Sequence, residues 1–235
     1  MAPIVERILA RPMADNDGAE ERRRREAVEF RNQQWGALVR GMGERYASCR
    51  LVNFELSPDE ATKQRQQAAL DRLRLLGTHM AEHIDAGGNV ILYGPPGTGK
   101  DHLLMALLHL AIAKNLRVQW RNGQDLFGDF RDRIDTDRSE ESSVRDFESP
   151  QVLAISDPVP PKGTVSDFST TMLYRIIDRR YRQLRSTWIT ANIAKADEAR
   201  TELSGPIFDR LMDNCVTVFC NWPSYRQQRK PEWLK

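Results

Sequence analysis

Apolar residues are distributed along this chain in two alternating rhythms. Short runs rich in β-branched and aromatic residues recur at Asn89-Val90-Ile91-Leu92-Tyr93, Arg117-Val118-Gln119-Trp120, Val152-Leu153-Ala154-Ile155, Thr187-Trp188-Ile189-Thr190 and Val216-Thr217-Val218-Phe219. Each has the length of a strand buried on both faces. Helical spacing fills the intervals. Leu70, Leu73, Leu76, Met80 and Ile84 form one stripe that stops at Ala86-Gly87-Gly88, and His102 to Ile112 is apolar nearly all round. Helices are also predicted over Gln124 to Ile134 and Thr170 to Leu184. Strand and helix patterns that alternate in this way predict an α/β fold, a parallel sheet with helices on both faces.

The ends of these segments carry turn and cap chemistry. Ser57-Pro58-Asp59-Glu60 combines an N-cap serine, a proline in the first turn and a glutamate placed for a capping box. Tyr46 to Leu56 reads as extended chain, and Asp135 to Ser149 is polar and acidic enough to lie mostly on the surface. Upstream, residues 1 to about 19 read as a poorly ordered lead-in. From Glu20 an amphipathic arm begins with the charge run Glu20-Glu21-Arg22-Arg23-Arg24-Arg25-Glu26 and continues with Val28, Trp35, Leu38, Val39 and Met42 on one face. That face either packs on its own domain or docks on a partner. A division into an arm, residues 1–45, and a catalytic-size domain, residues 46–235, follows.

Composition narrows the function classes without choosing one. With 35 basic and 33 acidic side chains the formal charge is +2, so no global field draws the protein onto nucleic acid and any such contact needs a local patch. Three cysteines, Cys49, Cys215 and Cys220, are too few and too scattered for a zinc cluster or a disulfide framework, which points to a reducing compartment. No apolar run approaches the ~20 residues that cross a bilayer, and no signal-peptide core is seen. A cytoplasmic protein without membrane contact is expected.

The chemistry concentrates after the first strand. Gly94-Pro95-Pro96-Gly97-Thr98-Gly99-Lys100 is a phosphate-binding loop between a strand and a helix, in which backbone N–H groups and the lysine meet β- and γ-phosphates at a helix N-terminus. Nucleotide contacts are therefore expected from Gly94 through Lys100 and on to Asp101 and His102. A hydroxyl normally follows the lysine and holds Mg²⁺; here Asp101 does so. The strand Val152 to Ile155 continues into Ser156-Asp157, where a hydrolase of this type usually shows two acids, one for Mg²⁺ and one to polarise the attacking water. Hydroxyl and carboxylate have thus traded places. Either Asp101 supplies the Mg²⁺ oxygen that Ser156 lacks, giving metal positions Asp101, Ser156 and Asp157 with slow hydrolysis, or hydrolysis is weak or lost. Asn192, at the next strand's end, is placed to orient water or sense the γ-phosphate, and a strand-end turn asparagine is the plain alternative. Arg210, in Phe208-Asp209-Arg210-Leu211, reads as an arginine finger for a neighbouring subunit or as a surface ion pair. Arg175, Arg179, Arg180 and Arg182, interleaved with Tyr174 and Tyr181, form a candidate single-stranded DNA surface, with a solvated charged face as the alternative.

Taken together, Gly94 to Lys100, Ser156-Asp157, Asn192, Asp209-Arg210 and the closing Phe219-Cys220-Asn221-Trp222-Pro223-Ser224-Tyr225-Arg226 resemble the DnaC-type helicase loaders. These are AAA+ ATPases related to the initiator DnaA and to the IstB transposition helper. The resemblance covers roughly residues 46 to 229, and the N-W-x-S-Y-R run is closer to the DnaC branch. It implies an AAA+ core that uses ATP/ADP with Mg²⁺ and binds single-stranded DNA. It also implies an N-terminal region docked on a replicative, DnaB-type DNA helicase. Lys100 falls to the phosphates, Asn192 to the first sensor and Arg210 to the finger, with self-assembly through Arg210. Ser156 departs from the family at the Mg²⁺ carboxylate, and too little chain follows the last strand for a full helical lid. A non-hydrolysing scaffold and an IstB-like transposition helper remain as alternatives.

Overall fold

The computed structural model describes residues 14–135, 140–159, 166–193 and 195–228. Five strands form one sheet, β1 (Asn89–Tyr93), β2 (Val118–Asn122), β3 (Val152–Ser156), β4 (Ser186–Ala191) and β5 (Cys215–Phe219), in the order β2-β3-β4-β1-β5. Every pairing is parallel. β3 and β4 are buried along their whole length, as a strand covered on both faces must be, which is why they read as unbroken apolar runs. Side-chain alternation divides the core in two. Val90, Leu92, Val152, Ala154, Trp188 and Val218 face one helical layer; Ile91, Leu153, Ile155, Ile189 and Ala191 face the other.

The first layer holds α1 (Ala14–Met42), α2 (Glu60–Thr78), α3 (Met80–Asp85) and α4 (Lys100–Ala113). The second holds α5 (Gly123–Asp135), α6 (Glu140–Glu148), α7 (Asp167–Arg182), α8 (Ala196–Glu202) and α9 (Gly205–Met212), and α10 (Tyr225–Gln228) follows β5. The single stripe expected from Leu70 to Ile84 is two helices, because the backbone leaves helical geometry at His79. α2 is capped two residues later than the sequence pattern suggests: Asp59, not Ser57, accepts from the Thr62 N–H, while Ser57 accepts from the Asp59 N–H. Tyr46 to Leu56 is not simply extended, since it follows on from the short 3-10 turn Glu44–Tyr46 and contains a second, Leu51–Asn53. Asp135 to Ser149 is more than surface. α6 buries Val144 and Phe147 in the second layer, and its acids face outward to arginines of α7.

α1 behaves as two half-helices. From Arg31 onward it is seated on the domain: Leu38 is buried, Trp35 lies edge-on to His109 at 5.0 Å, and Arg31 donates to the Asn115 amide oxygen at 2.8 Å. Gln34 accepts from the N–H of Val118 at 3.0 Å, which satisfies a donor at the edge strand. From Glu20 to Glu26 the helix is exposed on all sides. Helix thus begins at Ala14, before the expected Glu20; the expectation for residues 1–13 lies outside the described residues. Among the described residues no helix is long and apolar enough to cross a membrane.

Candidate nucleotide site

Strand register brings the site together. Tyr93 pairs with Ala191, so Gly94 and Asn192 leave the sheet side by side; Ser156 pairs with Thr190, so Asp157 emerges next to them. This is the carboxyl edge of a parallel sheet where connections diverge, the place such sheets offer to ligands. A cleft of about 1130 Å³ opens here, lined by the phosphate loop, Asp157 and Asn192, by Tyr46, Phe54 and Glu55 of the preceding segment, and by Trp222, Tyr225 and Arg226.

The loop has the close backbone approaches that an anion cradle needs. Gly94 (φ +146°) and Gly97 (φ +82°) both take conformations that side chains disfavour. A Cβ on Gly94 would lie 2.5 Å from the Cys220 carbonyl oxygen and one on Gly97 2.0 Å from Ser224 Oγ. The closing segment therefore braces the loop from behind: the Trp222 indole donates to Thr98 O at 2.8 Å and the Tyr225 N–H to Gly97 O at 2.9 Å. Tyr225 also bonds Glu55 through its hydroxyl. The sequence pattern marks this run as family-like and leaves its role open; the brace and Arg226, on the cleft wall, are what the structure adds.

Lys100 is 5 % exposed and donates to Gly94 O (2.8 Å), Pro95 O (2.9 Å) and Asn192 Oδ1 (2.8 Å). Burial draws its pKa below the ordinary lysine range, against the opposing pull of Asp157, Cys220 and Asp101. Asp157 has a left-handed backbone (φ +49°) and a carboxylate oxygen, Oδ1, that is buried without a partner. Burial, then the neighbouring Asp101 charge, push its pKa up to about 6, while Lys100 and a hydrogen bond from Asn192 oppose the rise. A carboxyl poised near neutrality in a cleft is suited to taking a proton from water.

Asp101 and Ser156, set apart by sequence as paired departures, are in contact. Ser156 Oγ donates to Asp101 Oδ1 at 3.2 Å, and Thr190 Oγ1 donates to the same oxygen at 3.1 Å. The Trp120 indole N–H in turn donates to Ser156 Oγ at 2.8 Å. Ser156 is 3 % exposed and its hydroxyl is committed on both sides, so it serves as a support for Asp101 and not as the metal position expected for it. Thr190 and Trp120 were not singled out from sequence. Strand alternation does place both on the α4 side, with Trp188 and Val118.

These residues fit the groups that a nucleotide site requires. The cradle and the buried lysine suit a phosphate chain, and the orphaned Asp157 oxygen suits a water or a cation beside that chain. Among the described residues no cluster of three or more His, Cys, Asp or Glu could hold a metal. Mg²⁺, however, usually takes only one or two carboxylates and completes its shell with phosphates and water, and Asp101 with Asp157 meets that need. Thr98 turns inward, donating to Pro95 O. His102 lines the cleft, but its Nε2 donates to Arg50 O at 2.9 Å and its ring packs edge-on to Phe54, so its side chain secures the cleft wall.

Two expectations away from the cleft change. Arg180 is fully buried and cannot contact DNA: its donors go to Thr187 Oγ1 and to the carbonyls of Phe147, Pro150, Gln151 and Ser186. Arg179 bridges Glu141 (2.6 Å) and Glu148 (2.8 Å), Arg175 approaches Glu141 at 3.6 Å, and Arg182 pairs with Asp178 at 2.8 Å. Arg175, Arg179 and Arg182 thus neutralise neighbouring acids instead of presenting a free cationic face. Arg210 lies at the other end of the sheet from Lys100, its carbonyl accepting from Asn89, the first residue of β1. It bonds Asp178 (3.0 Å) and Tyr174 Oη (3.1 Å) and stacks on the Tyr174 ring at 4.9 Å.

Comparison with known proteins agrees with this geometry. The family of IstB-like ATP binding proteins matches residues 48–232. An ATP-binding protein in an insertion sequence of Mycobacterium tuberculosis is 27 % identical over 63 % of this chain and 59 % of its own length. The replicative helicase loader DnaC of Escherichia coli is 29 % identical over 60 % of this chain and 58 % of its own. The chain thus spans about three fifths of the length of either relative. Among solved structures, a DnaC helicase loader superposes with a TM-score of 0.65 at 20 % identity, covering 75 % of this chain and 99 % of that one. A solved DnaA superposes with a TM-score of 0.57 at 16 % identity, covering 73 % of this chain and 49 % of that one. A parallel five-stranded sheet in this order, a braced phosphate loop at its carboxyl edge and a family match over most of its length make this chain a member of the IstB-like ATP-binding proteins, built on the AAA+ P-loop fold of DnaC and DnaA.

Proposed function

We propose that this protein is an ATP-binding helicase loader, a nucleotide switch that engages a replicative DNA helicase through the exposed half of α1. The observation that carries the nucleotide half of this reading is the convergence of Lys100, Asn192 and Asp157 in one cleft, with Asn192 bonded to the lysine. Lys100 exchanges its loop carbonyls for phosphate oxygens, and Asn192, released from the lysine, is free to orient water. Asp157 holds the proton-accepting position, and Asp101 is the carboxylate for Mg²⁺, which when bound neutralises charge on the phosphates. The reaction class is slow ATP hydrolysis. Arg210 cannot serve its own site from the far end of the sheet, so a finger role requires a second copy.

The helicase half rests on the DnaC relative and on α1, whose charged stretch lies upstream of the family match. Because residues from Arg31 onward are seated in the domain, the test leaves them intact. Capture of a DnaB-type helicase by the full chain is compared with capture by a variant in which Arg22, Arg23, Arg24 and Arg25 are glutamates. Loss of capture in the variant is the expected result, and equal capture would rule the arm out. Single-stranded DNA is the second ligand of this reading; affinity that falls steeply with salt is the expected signature. The insertion-sequence relative favours one other reading, a transposition helper. A transposase captured in place of the helicase would decide for that reading.

A further inference from the structure

We propose that Trp120 is a positioning residue that ties the seat of α1 to the carboxylate of Asp101. This inference rests on the nucleotide reading above and goes beyond it, because it concerns how the cleft and the arm helix are connected.

A serine hydroxyl has one proton to give and lone pairs to accept with, while an indole N–H can only donate. Trp120 Nε1 donates to Ser156 Oγ at 2.8 Å and so occupies a lone pair of that oxygen. The hydroxyl proton is then directed to Asp101 Oδ1, 3.2 Å away, an atom that only accepts when the carboxylate is ionised. Thr190 sends its own proton to the same oxygen at 3.1 Å. Two hydroxyls on Oδ1 fix the rotation of the carboxylate and leave Oδ2 for the cleft that Asp101 lines. Hydrogen bonds to a carboxylate in a half-buried setting such as this one are among the stronger ones. Without the indole the serine proton could turn elsewhere, and Asp101 would lose half of its support.

The other side of the same indole carries α1. A Cβ on Gly41 would come 3.1 Å from Trp120 Cε3 and 3.3 Å from Cζ3, so the helix crosses the ring at a residue that has no side chain. Around this crossing α1 is pinned by buried Leu38, by the Gln34 bond to Val118 on the same strand as Trp120, and by Trp35 beneath Arg50. A second path runs parallel to the first: the Arg50 carbonyl accepts from His102, the residue after Asp101. Movement of α1 against β2 therefore shifts the indole, the indole shifts Ser156, and Ser156 reorients the carboxylate. The same contacts transmit in reverse when a ligand draws on Asp101.

The test uses the full chain with Trp120→Phe, which keeps an aromatic ring under Gly41 and removes the N–H, and with Ser156→Ala. A fluorescent ATP analogue is titrated with Mg²⁺ and again in EDTA, and hydrogen exchange is followed over residues 31 to 42 with and without Mg²⁺ and analogue. Each substitution is expected to weaken the Mg²⁺-dependent affinity about five- to tenfold, the loss of one half-buried hydrogen bond. Affinity in EDTA should stay within about twofold of the original, and the double variant should be no weaker than the weaker single one, since both break one chain of contacts. Nucleotide should slow exchange in residues 31 to 42 of the original chain and fail to do so in Trp120→Phe. Additive losses, equal losses in EDTA, or an exchange response that survives Trp120→Phe would overturn the inference. Should Trp120→Phe melt early, Ser156→Ala carries the same readouts. Failure of the unsubstituted chain to bind the analogue would instead refute the nucleotide reading, so the two failures are distinguishable.

Discussion

Two buried cations stand at opposite ends of one sheet, and their surroundings differ in kind. Arg180, beside the first residues of β4, meets four carbonyls and a threonine hydroxyl drawn from the end of α6, the α6–β3 connection and β4 itself. Its donors are spent on holding these segments together. Lys100, at the carboxyl end, meets two carbonyls of its own loop and one exposed asparagine. Two of those partners are local, the third is an exposed side chain, and all are replaceable by an incoming anion. A buried positive charge is structural when backbone carbonyls of several segments depend on it, and available for binding when its partners are its own loop and an exposed side chain.

The largest effect expected from this contrast is on Arg180. Arg180→Ala strands five acceptors and opens a cavity, at a cost of about 3–5 kcal/mol, so thermal melting should fall by about 10 °C or more. Lys100→Ala should move the melting temperature by no more than about 2 °C while weakening ATP binding roughly 10- to 100-fold, the loss of charge-assisted bonds to phosphate. A Lys100→Ala variant that melts as low as Arg180→Ala would break the comparison.

Asp157 sharpens it further. Its folded-state pKa, raised to about 6 by burial and by Asp101, means that the folded protein binds more protons than the unfolded chain between the ordinary aspartate range near ~4 and about 6. Stability contributed by this group is therefore lost as pH rises through that window. Asp157→Asn should flatten the slope and raise the melting temperature at pH 7.5 by about 2–4 °C, equivalent to ~1 kcal/mol. Turnover should run the other way, increasing through pH ~6 in the original protein and dropping at least ~100-fold in the variant. The smallest effect is that of Arg210→Ala. ATP affinity of the dilute chain should be unchanged, with turnover reduced only at concentrations where copies associate; a loss already present in dilute protein would place Arg210 outside a finger role.

Much of this was legible in the sequence, for identifiable reasons. All five strands follow from apolar runs that need no tertiary context, and the phosphate loop from glycines whose conformation no other residue holds as easily. α6 was missed because Val144 and Phe147 are sparse among acids whose partners, the arginines of α7, lie far along the chain. Arg180 was misplaced although its position was readable: Leu173, Ile176, Ile177 and Arg180 form one helical stripe, and all four are buried. The contact of Asp101 with Ser156 was anticipated as a shared site, but not the supports from Thr190 and Trp120, because these depend on strand register across β2, β3 and β4. Which half of α1 is seated on the domain likewise depended on where Trp35 and Gly41 land, a matter of packing.

The most direct measurement is a calorimetric titration of Mg²⁺–ATP into the full chain and into Lys100→Ala. Saturable binding of one ATP per chain, lost or weakened at least ~10-fold in Lys100→Ala, is the expected result. No saturation up to millimolar ATP, or equal affinity in the two proteins, would contradict the assignment of the cleft to nucleotide.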